Sequence, residues 1–205
     1  MDKIIPSLQN AYNWKFDQDC KEVCVTMLFP ESFDILSIEA KLYDDNKSII
    51  VKAPDHINIL AGNLEYEVSK VHLEYIQKDE KKVVVHIVKK EVKQWNIIIK
   101  DTTITTNEID PKSAYLISIV IINESHLYEQ MRAKINSFLD FACKVEYVPC
   151  LIYRGSLFLR KVELENLGLS YLQIAKDKYQ NPEAMYYIGY HFCTHDKKEE
   201  GTALL

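Results

Sequence analysis

Four places in the chain set side chains of reactive type close together. Near the start, "DCKEVCVTMLF" holds Cys20 and Cys24 four residues apart. Thiolates are zinc ligands, but in an extended chain these two lie about 13 Å apart on one face, too far to share an ion. The expectation is two buried or half-buried thiols. Near the end, "HFCTH" offers His191, Cys193 and His195. That alternation suits one face of a strand, whereas the stretch reads as a helix end, and a fourth ligand is not obvious; Cys143 is a further candidate partner for His191. The carboxylate pairs Asp44/Asp45 and Glu199/Glu200 stand in polar, turn-like surroundings with no apolar neighbours to shift them. GxSxG, P-loop, GxGxxG and HExxH patterns are all absent, and five glycines leave few places for a phosphate-cradling loop. The reading is therefore no catalytic residue, no cofactor, no metal and no enzyme.

Composition bounds what else the chain can be. With 205 residues, 47% of them apolar, it can bury one sizeable core or two small ones. Thirteen tyrosines and seven phenylalanines supply large packing surfaces. The 25 basic residues are outnumbered by 30 acidic ones, and neither half of the chain is basic. Nucleic acid and anionic membrane are thus not expected partners; Lys78, Lys81 and Lys82 suit a solvated hairpin. Five cysteines without framework spacing, and a start "MDKIIPSLQN" without a signal-like core, point to the cytoplasm or nucleus. The longest apolar run, "YLISIVII" at 115–122, is less than half of the roughly 20 residues a membrane span needs, so it is a core element, strand or helix, with helical neighbours favouring a helix.

The elements that would position these residues change character along the chain. From Glu22, "EVCVTMLF" alternates Val23, Val25 and Met27 on one side with Cys24, Thr26 and Leu28 on the other. Strand-like runs recur at "ILSIEAKLYD", "SIIVKA", "LEYEVSK", "VHLEYIQK", "KVVVHIVKK" and "WNIIIK", separated by turn signals; Asp45 and Asn46 are suited to the positive φ of a tight hairpin. About seven strands in residues 10–100 predict an antiparallel β-sandwich.

The order of residues in this segment resembles the CS domain of the NudC family and of co-chaperones. Tyr12, Trp14 and the following "EVCVTMLFP", then Gly62, Leu64 and Val68, then "VVVHIVKKEVKQW" with Val83, Val85, His86, Lys89 and Trp95, stand in the family's order over residues 12–100. Phe16, Glu65 and Tyr75 depart from it, standing where glutamine, tyrosine and tryptophan are usual. The resemblance implies a chaperone-like role towards client proteins, notably of β-propeller type, with the ninety-kilodalton heat-shock chaperone or dynein-associated proteins as further partners. Trp14 and Trp95 are expected to be core or edge plugs and not ligand platforms.

After residue 100 the pattern turns helical. "DTTITTNEIDPKS" reads as a connector, so 101–124 is assigned to connector and buried apolar segment and 125–205 to a helical region. In "ESHLYEQMRAKINSFLDFAC", Leu127, Met131, Ile135, Phe138, Leu139 and Ala142 recur at helical steps, with Ser125 as N-cap. "SYLQIAKDKYQNPEAMYYIGYHF" resembles a single Sel-one-like or tetratricopeptide repeat on Ala175, Pro182, Ala184, Tyr187 and Gly189, a plain helical bundle being the alternative. Tyr186, Tyr187 and Tyr190 suit an interface. Ala203, Leu204 and Leu205 look like the beginning of a further helix, which suggests self-association or another partner, or a chain cut short. The function expected is a non-enzymatic co-chaperone or scaffold. The alternative is an enzyme with a dispersed site, which would show a deep pocket with clustered histidines and carboxylates.

Overall fold

The computed structural model describes residues 3–101, 109–195 and 198–204, with side chains for all of these except 125–128 and 198. It divides into two compact units, Met1–Phe141 and Ala142–Leu205. The expected connector residues 102–108, the side chains of Ser125 and Leu127, and Leu205 lie outside the described residues.

The first unit contains an antiparallel β-sandwich. Its strands are β1 (Lys15–Gln18), β2 (Glu22–Phe29), β3 (Glu39–Tyr43), β4 (Ser48–Lys52), β5 (Leu60–Leu64), β6 (Val68–Ile76), β7 (Lys81–Lys89) and β8 (Ile99–Asp101). One sheet has the order β1-β2-β7-β6 and the other β3-β4-β5-β8. Alternation decides which side chains meet between the sheets: Val23, Val25 and Met27 of β2, Val83, Val85 and Ile87 of β7, and Ile49 and Val51 of β4 are all buried. The β3–β4 hairpin turns through Asp44, Asp45 and Asn46, each with positive φ, as residues whose short polar side chains tolerate that region should.

The sandwich has eight strands where about seven were expected, and its strand boundaries differ in places from the runs in the sequence. β1 precedes the first run recognised in the sequence. "ILSIEAKLYD" opens with a 3-10 turn at Ile35–Ser37, because the Asp34 carboxylate accepts the Leu36 N–H and bends the chain before β3 starts. "LEYEVSK" is broken after Leu64, its first residue ending β5 and its last three opening β6. Gly62 lies within β5 at φ 143°, where an added Cβ would sit 2.5 Å from Ile99 Cγ2; only glycine allows β8 so close.

A polar network ties the open end of the sandwich. Lys89 is buried, and its ammonium donates to Gln18 Oε1 at 2.9 Å, the Asp19 carbonyl at 2.6 Å and the Lys93 carbonyl at 2.8 Å. Gln18 in turn accepts the Trp95 N–H at 3.0 Å and donates to its carbonyl at 2.8 Å. The lysine is therefore a structural cation with all three donors used.

The 115–122 run is helical. It lies in α2 (Pro111–Asn123), α1 being the short helix Gln9–Tyr12 ahead of β1, and α2 packs against β5 and β8. Asp110 caps this helix and Pro111 occupies its first turn. α3 (Ser125–Lys144) follows, with Ile135, Phe138, Leu139 and Ala142 buried as their spacing predicts.

The second unit continues with α4 (Val148–Phe158), α5 (Glu165–Tyr179), α6 (Pro182–Thr194) and α7 (Lys198–Thr202). Asn181 caps α6 through Ala184 N, with Pro182 in the first turn as expected. The expected helix at Ala203–Leu205 is instead preceded by α7, and Ala203 and Leu204 form a turn whose backbone bonds back to Glu199 and Gly201. Glu146 is buried at the entry to α4, its carboxylate receiving Lys178 Nζ at 2.5 Å and the Tyr179 hydroxyl at 2.8 Å. α4 and α5 cross where Gly155 meets Gly168: a Cβ on Gly168 would lie 2.9 Å from the Gly155 carbonyl oxygen and 3.0 Å from Leu159 N. Gly168→Val is expected to lower stability by about 2–3 kcal/mol through overpacking, since backbone cannot yield as a side-chain tip does. Thermal unfolding followed by circular dichroism checks this, and an unchanged midpoint would show that the helices tolerate separation.

Candidate functional site

The two faces of the β1-β2-β7-β6 sheet differ in chemistry. The inner face is apolar; the outer face carries Cys24, Thr26 and Leu28 from β2, Val84, His86 and Val88 from β7, and His72, Glu74 and Ile76 from β6, all half-buried or exposed. Such a solvated face, flat and of mixed polarity, is what an antiparallel sheet covered on one side only presents.

Near its centre titratable groups converge. Cys24 pairs directly with His86 across the β2–β7 ladder, and His86 with His72 across β7–β6. Cys24 Sγ lies 3.5 Å from His86 Nδ1, which is also 3.3 Å from Glu22 Oε2. On the other side of the ring, Nε2 lies 3.2 Å from Glu74 Oε2. The His72 ring stacks on His86 with centroids 4.6 Å apart and planes 6° from parallel. Burial, followed by the Glu22 carboxylate, pushes the Cys24 thiol up to about 11. At neutral pH it is therefore a protonated thiol and not a ready nucleophile.

Sequence spacing placed none of this. Cys20, expected to be buried or half-buried with Cys24, is exposed in the turn before β2, because the strand begins only at Glu22. The partners of Cys24 come from β7 and β6, out of reach of any local motif.

The "HFCTH" stretch is helical, so His191 and His195 share a face, with rings stacked 4.1 Å apart. Glu165 at the start of α5 completes the group, its Oε1 3.1 Å from His191 Nε2. Cys193 points elsewhere, towards Gly201, and Cys143 lies against Cys150 with sulfurs 3.4 Å apart. On the same helix Tyr186 and Tyr190 are exposed and stacked, centroids 6.3 Å apart, while Tyr187 is half-buried edge-on to Tyr186.

The residues of the CS-like pattern are placed in the sandwich. Tyr12, Trp14, Leu64, Val68 and Trp95 are buried, and Gly62 makes the close approach in β5. Trp14 Nε1 donates to the Ile59 carbonyl at 3.0 Å, and the Lys112 ammonium stands 4.2 Å from the centre of the indole and bonds the Trp14 carbonyl. Trp95 meets Tyr66 edge-on at 6.0 Å, and its Nε1 finds no acceptor among the described residues.

A cleft of about 460 Å³ opens between Asp44, Lys47, Asn63, Glu65, Tyr66 and Lys100. Its polar groups already serve the fold: the Ser48 hydroxyl lies 2.9 Å from both Asp44 Oδ2 and Asn63 Oδ1, and Glu65 receives the Asn96 and Ile97 N–H groups. A second, of about 360 Å³, lies along β3 and β6 beside Glu39, Lys41, His72 and Tyr75. The clustered histidine, thiol and carboxylates lie on the open sheet face.

No family model matches the chain, and neither does any curated protein. Solved structures are similar to part of it. The nuclear movement protein from E. cuniculi GB-M1 is 22% identical with a TM-score of 0.34, covering 42% of this chain and 96% of its own. The CS domain of the human KIAA1068 protein is 19% identical with a TM-score of 0.37, covering 48% of this chain and 78% of its own.

Proposed function

We propose that this chain is a non-enzymatic, co-chaperone-like scaffold that takes client proteins on the outer face of its β1-β2-β7-β6 sheet. The observation that carries the proposal is that face itself: exposed Leu28 and half-buried Thr26, Val84, Val88 and Ile76 interleave with polar groups across adjacent strands of a rigid sheet. A partly folded client offers just such mixed surface, and a flat face accepts many partners where a deep pocket selects one. The ordered pattern from Tyr12 to Trp95 supports the same reading. The exposed Tyr186 and Tyr190 pair gives the helices a second surface, which we read as a repeat-like arm for a heat-shock chaperone or dynein-associated partner.

The test is suppression of aggregation of a heat-unfolded β-propeller protein by the full chain. Val84→Glu puts a charge on the outer face without entering the core, and is expected to abolish protection while leaving the unfolding free energy within about 0.5 kcal/mol of wild type. Undiminished protection by a folded Val84→Glu variant would remove the sheet face from the proposal.

A further inference from the structure

We propose that Glu22, Cys24 and His86 form a zinc site on the outer face of the β1-β2-β7-β6 sheet, with Glu74 as the residue that orients His86. The ligand atoms of the three lie within 4.8 Å of one another.

The setting of the His86 ring is the first reason. Its Nε2 lies 3.2 Å from the Glu74 carboxylate, which holds that nitrogen on the side away from Glu22 and Cys24. Its Nδ1 faces the Glu22 carboxylate at 3.3 Å and the Cys24 sulfur at 3.5 Å, so three ligand atoms of the types that zinc takes stand together. Among the described residues no lysine or arginine is ion-paired with either carboxylate. A carboxylate holding the far nitrogen of a histidine is how metal-binding imidazoles are oriented and made more basic.

The distances are the second reason. Zinc bonds of about 2.3 Å to sulfur and about 2.0 Å to nitrogen or oxygen, at tetrahedral angles, put sulfur about 3.5 Å from nitrogen and nitrogen about 3.3 Å from oxygen. Cys24 Sγ to His86 Nδ1 is 3.5 Å, and Nδ1 to Glu22 Oε2 is 3.3 Å. Two of the three ligand-to-ligand edges of that polyhedron are therefore present, and the third lies within 4.8 Å.

Rigidity is the third. All three ligands project from paired strands, Cys24 and His86 from directly opposed positions, and the stacked His72 ring fixes the plane of His86. Thiolate with imidazole selects a borderline-soft ion over Mg²⁺ or Ca²⁺. Coordination releases the Cys24 proton to solvent, the thiolate giving its electron pair to the metal, and leaves a fourth position on the open face for water.

The full chain, stripped of metal with a chelator, is titrated with Zn²⁺ and separately with Co²⁺ in a His195→Gln background, which disables the Glu165–His191–His195 group. One Zn²⁺ per chain is expected, with a thiolate-to-cobalt charge-transfer band in the near ultraviolet for the Co²⁺ form. Cys24→Ser should remove that band and weaken Zn²⁺ binding at least about tenfold; Glu74→Gln should keep the band and weaken binding about tenfold, as loss of an orienting carboxylate does. Alkylation of the unsubstituted chain gives a readout independent of variant folding: Zn²⁺ should protect Cys24 and leave exposed Cys20 reactive. Absence of the band, a Cys24→Ser variant that binds Zn²⁺ as wild type does, or Cys24 alkylation indifferent to Zn²⁺ would each overturn the site.

Discussion

Trp14→Ala is expected to destabilise the sandwich by about 3–5 kcal/mol, the range for deleting a buried indole. The ring is 3% exposed, donates to the Ile59 carbonyl and carries the Lys112 ammonium on its face, so truncation removes packing, a hydrogen bond and a cation–π contact together. Trp95→Ala should fall in the same range, because Trp95 is 2% exposed. The phenylalanine variants separate the two sites. Trp14→Phe leaves the Ile59 carbonyl without its donor, whereas Trp95→Phe removes an N–H that bonds no described acceptor; Trp14→Phe should cost about 1 kcal/mol more. Urea denaturation followed by circular dichroism measures all four. Folded alanine variants with wild-type midpoints that no longer hold a client would make the indoles binding residues instead.

The second large effect lies at Asp110, which the sequence reading passed over inside a connector. Its carboxylate is fully buried, accepts Ser113 N at 2.9 Å and Ala61 N at 3.0 Å, and so caps α2 and fastens it to β5 at one point. Asp110→Ala orphans both N–H groups and should cost about 2–4 kcal/mol, about 1 for the cap and the rest for the buried Ala61 donor. Burial pushes the Asp110 carboxyl up to about 6, against the pull of its hydrogen bonds and Lys112. In the unfolded chain it titrates near an ordinary aspartate, about 3.9. The native state therefore keeps a proton that the unfolded state has lost, and stability contributed by this group is fullest below about pH 4 and declines as pH rises through about 6. Asp110→Asn should flatten that decline. Stability measured from pH 4 to 7 for both proteins decides it, and parallel curves would mean that Asp110 is ionised at no extra cost. The same buried charge, after burial itself, holds the Tyr12 hydroxyl above its ordinary range.

What the sequence determined by itself is what period and local chemistry encode. Alternation of Val23, Val25 and Met27 against Cys24, Thr26 and Leu28 assigned a buried and an open face to β2 before any partner strand was known, because side chains on a strand can point only two ways. The steps through Ile135, Phe138, Leu139 and Ala142 and the Asn181–Pro182 start of α6 were legible for the same reason: a helix face and a cap are local facts. Asp110–Pro111 carried an equally local start signal, an acceptor then a proline ahead of an apolar run. Tertiary structure alone decided which distant groups meet. Cys24 and His86 stand 62 residues apart and face each other only through the β2–β7 register, which a shift of one residue would undo by turning His86 into the core. Glu165 joins His191 only because α5 and α6 pack on one another. Gly62 was visible as a glycine, but the approach of Ile99 that requires it was not, since no pattern in one strand records how near its neighbour lies.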